Sequence, residues 1–325
     1  MMNCLEQLLE AHDVLLVDGA TGTELFRTNL EPGDAPERLN VSLPDIIVAN
    51  HAGYIEAGSD IVLTNSFGGT AYRLRLHDLD NQVFEINKAA AANARAAADA
   101  VDRVVLVAGS MGPTGELLVP MGSLTFEAAV EAFATQASGL AAGGADVLWI
   151  ETMSSLEEAE AAVVGAQSVC DLPIVATFSF DTAGRTMMGV TGRDVAERLL
   201  PLGVAAVGCN CGANLTDSEL AVAQMREAAP DALLVSKANA GIPEWHGAEL
   251  AYSGSPEIMA AHAHRAKAAG AKIIGACCGS HAEHIAHMSD VLKGRSEVPD
   301  VEAPAASIAG TARPRGRRGR RAQAR

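Results

Sequence analysis

Apolar residues fall along this chain in short continuous runs rather than in alternation with polar ones. Eight runs stand out: VLLVD (14–18), IVLTN (61–65), VVLVAG (104–109), VLWIE (147–151), PIVATF (173–178), AAVGCNC (205–211), LLVSKAN (233–239) and IIGACC (273–278). Unbroken β-branched runs of this length are expected of strands buried on both faces, as in a parallel sheet. Between them lie stretches with helical spacing, rich in Ala, Leu and Glu, among them FEINKAAAANARAAADAV and FEAAVEAFATQASGLAAGG. The junctions repeat. EAGSDIV, AGGADVL, PLGVAAV and AAGAKII each place a helix-stopping glycine just before the next run. Ser155 with Glu158 and Thr216 with Glu219 fit capping boxes, and Ser255 before Pro256 fits an N-cap with proline at the first helical position.

Eight strand and helix units in under 300 residues predict a TIM (β/α)8 barrel as a single α/β domain over 1–292, with an open doubly wound sheet as the alternative. In a barrel the chemistry gathers where strands end. The residues there are Asp18, Thr64 to Phe67, Gly109 to Met111, Glu151, Phe178 to Asp181, Cys209 to Cys211, Asn239, Cys277 and Cys278.

Composition adds bounds. With 49% of its 325 residues apolar, the chain can bury a large core. The N-terminus MMNCLEQLLEAHD has acids where a secretory signal needs a basic start, and no stretch reaches membrane-spanning length, so a cytoplasmic protein is expected. The formal net charge of −16 argues against nucleic acid or an anionic membrane as partner. The tail from 293 to 325 is different. It is rich in Pro and Ala, ends in TARPRGRRGRRAQAR with seven arginines, and is expected to be a disordered, solvated tail, with contact to RNA or an acidic surface through the arginines as the alternative.

Six cysteines at uneven spacing do not form a disulfide framework in a chain this long. In the predicted barrel, the ends of the sixth and eighth strands approach across the rim, bringing Cys211 toward Cys277 and Cys278. Adjacent residues on a strand point to opposite faces, so both Cys277 and Cys278 can reach one point only where the backbone turns, and Gly279 permits the turn. Three thiolates with one open position is the catalytic zinc pattern. A redox cysteine pair and ordinary buried cysteines are the other readings of the same residues.

The motifs also resemble a known family. DGATGTEL, TNSFGG, GSMGPTGE, IETMSSLEE, TFSFDTAGRTMMG, GCNCG, NAG and GACCGS, in that order over roughly residues 12 to 292, are similar to those of the homocysteine S-methyltransferases. This family includes betaine:homocysteine methyltransferases and the homocysteine-binding module of cobalamin-dependent methionine synthase. The resemblance implies a barrel that holds Zn2+ through Cys211, Cys277 and Cys278, with Cys209 at a variable position and not a ligand; two apart on a strand, Cys209 and Cys211 share a face, which puts Cys209 one layer deeper in the barrel. It also implies that Asp18 and Glu151 receive the homocysteine ammonium, since an ammonium in a dry site needs a carboxylate partner. Backbone N–H groups from Gly19 to Thr21 would take its carboxylate, Thr64 and Ser66 are expected to add hydroxyl contacts, and Asn239 to order the loop after the seventh strand.

The methyl donor is open. A small onium donor, betaine or a relative, wants aromatic faces, for which Trp245, Phe67, Tyr72, Phe178 and Phe180 are the candidates, though Gly68 stands where the animal-type betaine enzymes carry an aromatic residue. S-methylmethionine, a methyl-corrinoid partner protein, and a different thiol acceptor are the alternatives. His281, His284 and His287 recur every third residue, a loose match to metal spacing that is better read as exposed helix histidines, with His281 nearest the site.

Overall fold

The eight continuous runs become eight parallel strands because each is apolar on both faces and can be buried on both. The computed structural model describes residues 2–28, 30, 33–241, 243–246 and 249–301. The barrel strands are β1 (Leu15–Leu16), β2 (Ile61–Leu63), β3 (Leu106–Met111), β4 (Val147–Met153), β5 (Ile174–Phe178), β6 (Ala206–Cys211) and β7 (Leu234–Ala238). After an antiparallel hairpin of β8 (Pro243–His246) and β9 (Glu249–Tyr252) comes the last of them, β10 (Ile273–Ala276). The helices are α1 (Cys4–Ala11), α2 (Thr21–Thr28), α3 (Leu39–Ser42), α4 (Pro44–Glu56), α5 (Ala71–Leu74), α6 (Val83–Ala98), α7 (Phe126–Ala142), α8 (Leu156–Gln167), α9 (Gly192–Leu199), α10 (Leu215–Ala228), α11 (Pro256–Ala268) and α12 (Ala282–Leu292).

Strand order runs β1-β10-β7-β6-β5-β4-β3-β2, and a parallel bridge between Val17 and Ile61 joins the two ends. The sheet is therefore a closed barrel, not an open one. The pleat sorts its side chains into two layers. Leu15, Val17, Ile61, Leu106, Val147, Trp149, Val175, Ala206, Val235 and Ile273 fill the interior, where Leu5 of α1 packs against them and seals the end from which the strands start. Residues of the other parity, such as Val107, Leu148 and Val207, pack against the surrounding helices.

Each junction glycine of the sequence adopts the left-handed conformation that ends a helix: Gly58, Gly144, Gly203 and Gly270 have φ of 110°, 96°, 84° and 96°. The caps hold in part. Ser255 accepts from the Ile258 N–H with Pro256 following. Ser155 accepts from Glu158 N–H, but the Glu158 carboxylate turns away to take the N–H and hydroxyl of Thr114, so no capping box forms. The box expected at Thr216 is replaced by Asn214, which caps α10 through the Asp217 N–H and frees Glu219 to pair with His262 and Arg265.

The third strand lies two residues later than the apolar run, because Val104 is 65% exposed where the chain enters the barrel. The hairpin β8–β9 carried no sequence signal. Trp245 and His246 lie on it, but their side chains, and the arginine-rich stretch 302–325, are outside the described residues. No helix among the described residues is long and apolar enough to cross a membrane.

Candidate metal centre and the polar floor beneath it

β6 and β10 both pair with β7, so their C-terminal ends stand one strand apart. Three backbone events then bring three thiols together. Cys211 has a φ of 55°, so the chain leaves the pleat at that residue and its side chain swings to the barrel mouth. β10 ends at Ala276, and Gly279 with φ of 78° turns the chain just beyond Cys277 and Cys278. No side chain fits at Gly279, since a Cβ there would lie 2.1 Å from the Tyr252 ring. The result is a Cys211 Sγ 3.0 Å from Cys277 Sγ and 3.9 Å from Cys278 Sγ, with all three sulfurs within 4.8 Å of one another.

Three thiols this close cannot all ionise without a cation. Hydrogen bonds from Cys211 and Cys277 pull the Cys278 thiol down, while those that Cys211 makes with Cys277 and Cys278 push Cys211 up. Soft sulfur donors at this spacing suit zinc and exclude the hard cations calcium and magnesium. Among the described residues no histidine, aspartate or glutamate joins the group, so three ligands are offered.

Cys209 is elsewhere. The expectation that it lies deeper in the barrel fails, because the turn at Cys211 breaks the two-residue periodicity between them. Cys209 faces the helix layer, with its sulfur 3.6 Å from the Ser218 carbonyl of α10 and 3.8 Å from the Val235 carbonyl.

Below the thiols, the next interior positions of the strands are polar. Asp18 and Glu151 are both buried, and burial raises each carboxyl to about 7, against the pull of the Lys237 ammonium. Asp18 Oδ2 takes the N–H of Leu63 at 2.8 Å. Glu151 accepts from the Ser110 hydroxyl at 2.5 Å and from Asn210 Nδ2 at 3.4 Å. Asn210, between the two cysteines of GCNCG, also bonds Thr152 and Thr177. Lys237 Nζ lies 3.6 Å from Asp18 Oδ1 and 3.4 Å from the Gly19 carbonyl. Burial works to discharge this lysine, but Cys277, Asp18 and Glu151 together hold its pKa above the ordinary lysine range.

A cavity of about 390 Å³ has Cys211, Cys277, Cys278, Glu151, Lys237, Thr64 and Ser66 in its wall, while Asp18 lies fully buried outside that lining, next to Lys237. The Thr64 and Ser66 hydroxyls bond each other at 2.6 Å, and Ser66 donates on to the Ser110 carbonyl. Asn239 donates to the Gly212 carbonyl, tying the end of β7 to the turn after Cys211. Of the backbone N–H groups expected to meet a carboxylate, that of Ala20 is directed at Ser280 Oγ instead.

The aromatic candidates separate. Phe178 and Phe180 are fully buried in the helix-facing core, Tyr72 carries the guanidinium of Arg75 over its ring, and Phe67 alone of these four lines the cavity. The histidines are not an exposed row. His284 is buried and bonds the Gly254 carbonyl, while His281 pairs with Glu24.

Lys237 is a site residue outside every strand-end range picked from the sequence, whereas Asn210 and Ser110 fall within the ranges 209–211 and 109–111 and had no role assigned. For Lys237 a signal existed, since a lysine inside LLVSKAN interrupts a run that is otherwise buried. Glu37 is a further one, a buried carboxylate in the cavity wall that accepts from the Gly68 N–H at 2.7 Å.

Known proteins share this arrangement of strands and motifs. Methionine synthase of Mycobacterium tuberculosis is 30% identical over 287 residues, which cover 84% of this chain and 24% of that protein. Methionine synthase of Mycobacterium leprae is 30% identical over 290 residues, covering 85% and 24%. The chain thus spans about a quarter of the length of the curated relatives it matches. The homocysteine methyltransferase MmuM from Escherichia coli, in a crystal structure of its metallated form, superposes with a TM-score of 0.76 at 27% identity over 90% of this chain and 100% of that one. With residues 15–292 also matching the family described as Homocysteine S-methyltransferase, the chain belongs to that family.

Proposed function

We propose that this protein is a zinc-dependent enzyme that moves a methyl group from a small onium donor of the betaine kind to homocysteine, giving methionine. The observation that carries the proposal is that three convergent thiols and the buried carboxylate of Glu151 line one cavity, with the buried Asp18 carboxylate beside its Lys237 wall. Zinc held by Cys211, Cys277 and Cys278 would lower the pKa of an acceptor thiol so that it reacts as thiolate at neutral pH. The chain's own residues do the rest. Asp18 and Glu151 receive the acceptor's ammonium, and Ser110 and Asn210 orient Glu151 for it. The thiol proton leaves to solvent, the acceptor sulfur forms a bond to the methyl carbon, and the donor's nitrogen or sulfur departs with the electrons of the broken bond. Burial of the floor keeps water from competing. Reduced thiols are required throughout, which fits a cytoplasmic enzyme.

A second reading, in which a methyl-corrinoid protein delivers the methyl group, is favoured by apolar side chains exposed on the loops that follow β3 and β5. Leu117, Val119 and Met121 are 54%, 58% and 63% exposed, and Met187 is 78% exposed. Large apolar groups exposed on loops that follow barrel strands suit a docking protein.

One assay separates the readings. Zinc-loaded protein and homocysteine are offered betaine, S-methylmethionine, dimethylsulfoniopropionate and methylcobalamin in parallel. Methionine from betaine or a sulfonium supports the onium donor, turnover with methylcobalamin alone supports the corrinoid partner, and methylation only of other thiols would replace homocysteine as acceptor.

A further inference from the structure

Lys237 sits at an interior position of β7, 2% exposed, in the wall of the same cavity as the thiols. An ammonium has three donors, and the contacts it makes are long ones, 3.4 Å to the Gly19 carbonyl and 3.6 Å to Asp18 Oδ1. Its neighbour is equally underused, for Asp18 Oδ1 is buried with no hydrogen-bond partner among the described residues. A spare donor in the cavity wall thus stands beside a spare, fully buried acceptor. Leaving either unmatched is unfavourable, and an ionised group is the most demanding.

The ligand that satisfies both is a zwitterion whose cationic end meets Asp18 Oδ1 and whose anionic end meets Lys237. The backbone alternative is weakened here, because the Ala20 N–H is directed at Ser280 Oγ. We infer that Lys237 is the acceptor-binding residue for the α-carboxylate, so that this site selects thiols carrying a carboxylate beside the ammonium. The inference rests on the homocysteine reading above and adds to it a specificity-determining side chain. The competing role for Lys237 is neutralisation only, in which it balances Asp18, Glu151 and Cys277 without touching the acceptor.

Calorimetric binding of thiols to zinc-loaded full-length protein, with no methyl donor present, decides between the two. The ligands are homocysteine, 3-mercaptopropylamine, which lacks only the carboxylate, and 4-mercaptobutanoate, which lacks only the ammonium. Wild type is expected to bind homocysteine about 10- to 100-fold more tightly than 3-mercaptopropylamine, the worth of a charge-assisted hydrogen bond in a dry site. Lys237→Met, and Lys237→Gln as a second variant, should bind both amines within about threefold of each other by the same reasoning. Equal binding of homocysteine and 3-mercaptopropylamine by wild type overturns the carboxylate role with no variant needed. Undiminished discrimination in a zinc-replete Lys237→Met protein overturns it as well. If wild type binds 3-mercaptopropylamine and 4-mercaptobutanoate but discriminates against homocysteine, or binds no thiol, the homocysteine reading itself falls and the inference with it.

Discussion

Cys211 Sγ lies 3.0 Å from Cys277 Sγ although the two residues belong to strands separated by β7. The contact exists because Cys211 leaves the pleat with a positive φ and Cys277 follows the last paired residue of β10. Each sulfur is one leg of a three-donor set, so losing one leaves two, too few to hold zinc firmly. Cys211→Ser is expected to lower zinc affinity by at least about a hundredfold. Zinc content after dialysis against a weak chelator, read by elemental analysis, checks it, and a variant that keeps one zinc per chain would sink the triad.

Cys209 is the control that the sequence alone could not supply. Its sulfur faces α10 and not the mouth. Cys209→Ala should therefore keep the full metal content and homocysteine binding while losing about 1 kcal/mol of stability for a small buried group. Loss of zinc from this variant would place Cys209 in the site after all.

What was legible from residues follows from what periodicity encodes. Continuous apolar runs and helix-stopping glycines such as Gly58 and Gly270 specify a parallel barrel locally, and the barrel in turn predicts that Cys211, Cys277 and Cys278 converge. Asp18 and Glu151 were found because they end the apolar runs VLLVD and VLWIE. The position of Cys209 was misjudged because periodicity presumes a regular strand, and the φ of 55° at Cys211 is a tertiary outcome with no signature in GCNCG. Lys237 was missed, and Asn210 left without a role, for a related reason. Their roles arise from partners more than fifty residues away in sequence, Asp18 for the first and Glu151 for the second. The hairpin β8–β9 lacked the alternation that would mark it.

Asn210 holds the floor together. Its Oδ1 accepts from Thr152 N–H and Thr177 Oγ1, each at 2.7 Å, while Nδ2 donates to Thr152 Oγ1 at 2.6 Å and reaches Glu151. Thr152 itself has a φ of 62°, a conformation that a β-branched residue adopts only under constraint. Asn210→Ala leaves the Thr152 N–H and the Thr177 hydroxyl unmatched in a buried site, a loss of about 2–4 kcal/mol. Urea unfolding measures the stability, and calorimetry should show homocysteine affinity falling at the same time because Glu151 is no longer oriented. A variant that binds homocysteine like wild type would reduce Asn210 to a purely structural role.

His51, on α4, gives the fold an acid sensitivity of its own. It is fully buried, and neither ring nitrogen has a hydrogen-bond partner among the described residues. Burial alone lowers its pKa to about 4, against an ordinary value of about 6.5. The folded protein therefore keeps this ring neutral where the unfolded chain binds a proton. The neutral ring's contribution is complete above pH 6.5 and is lost as pH falls toward 4, so between pH 6.5 and 5 this residue should remove about 2 kcal/mol of stability. Asp18 and Glu151 titrate through part of the same window, but they are present in a His51→Leu variant too, and their effect cancels in the difference. Urea unfolding of both proteins at pH 7 and pH 5 is the measurement. The variant should lose about 2 kcal/mol less than wild type on acidification, and equal losses would show that His51 is not kept neutral by the fold.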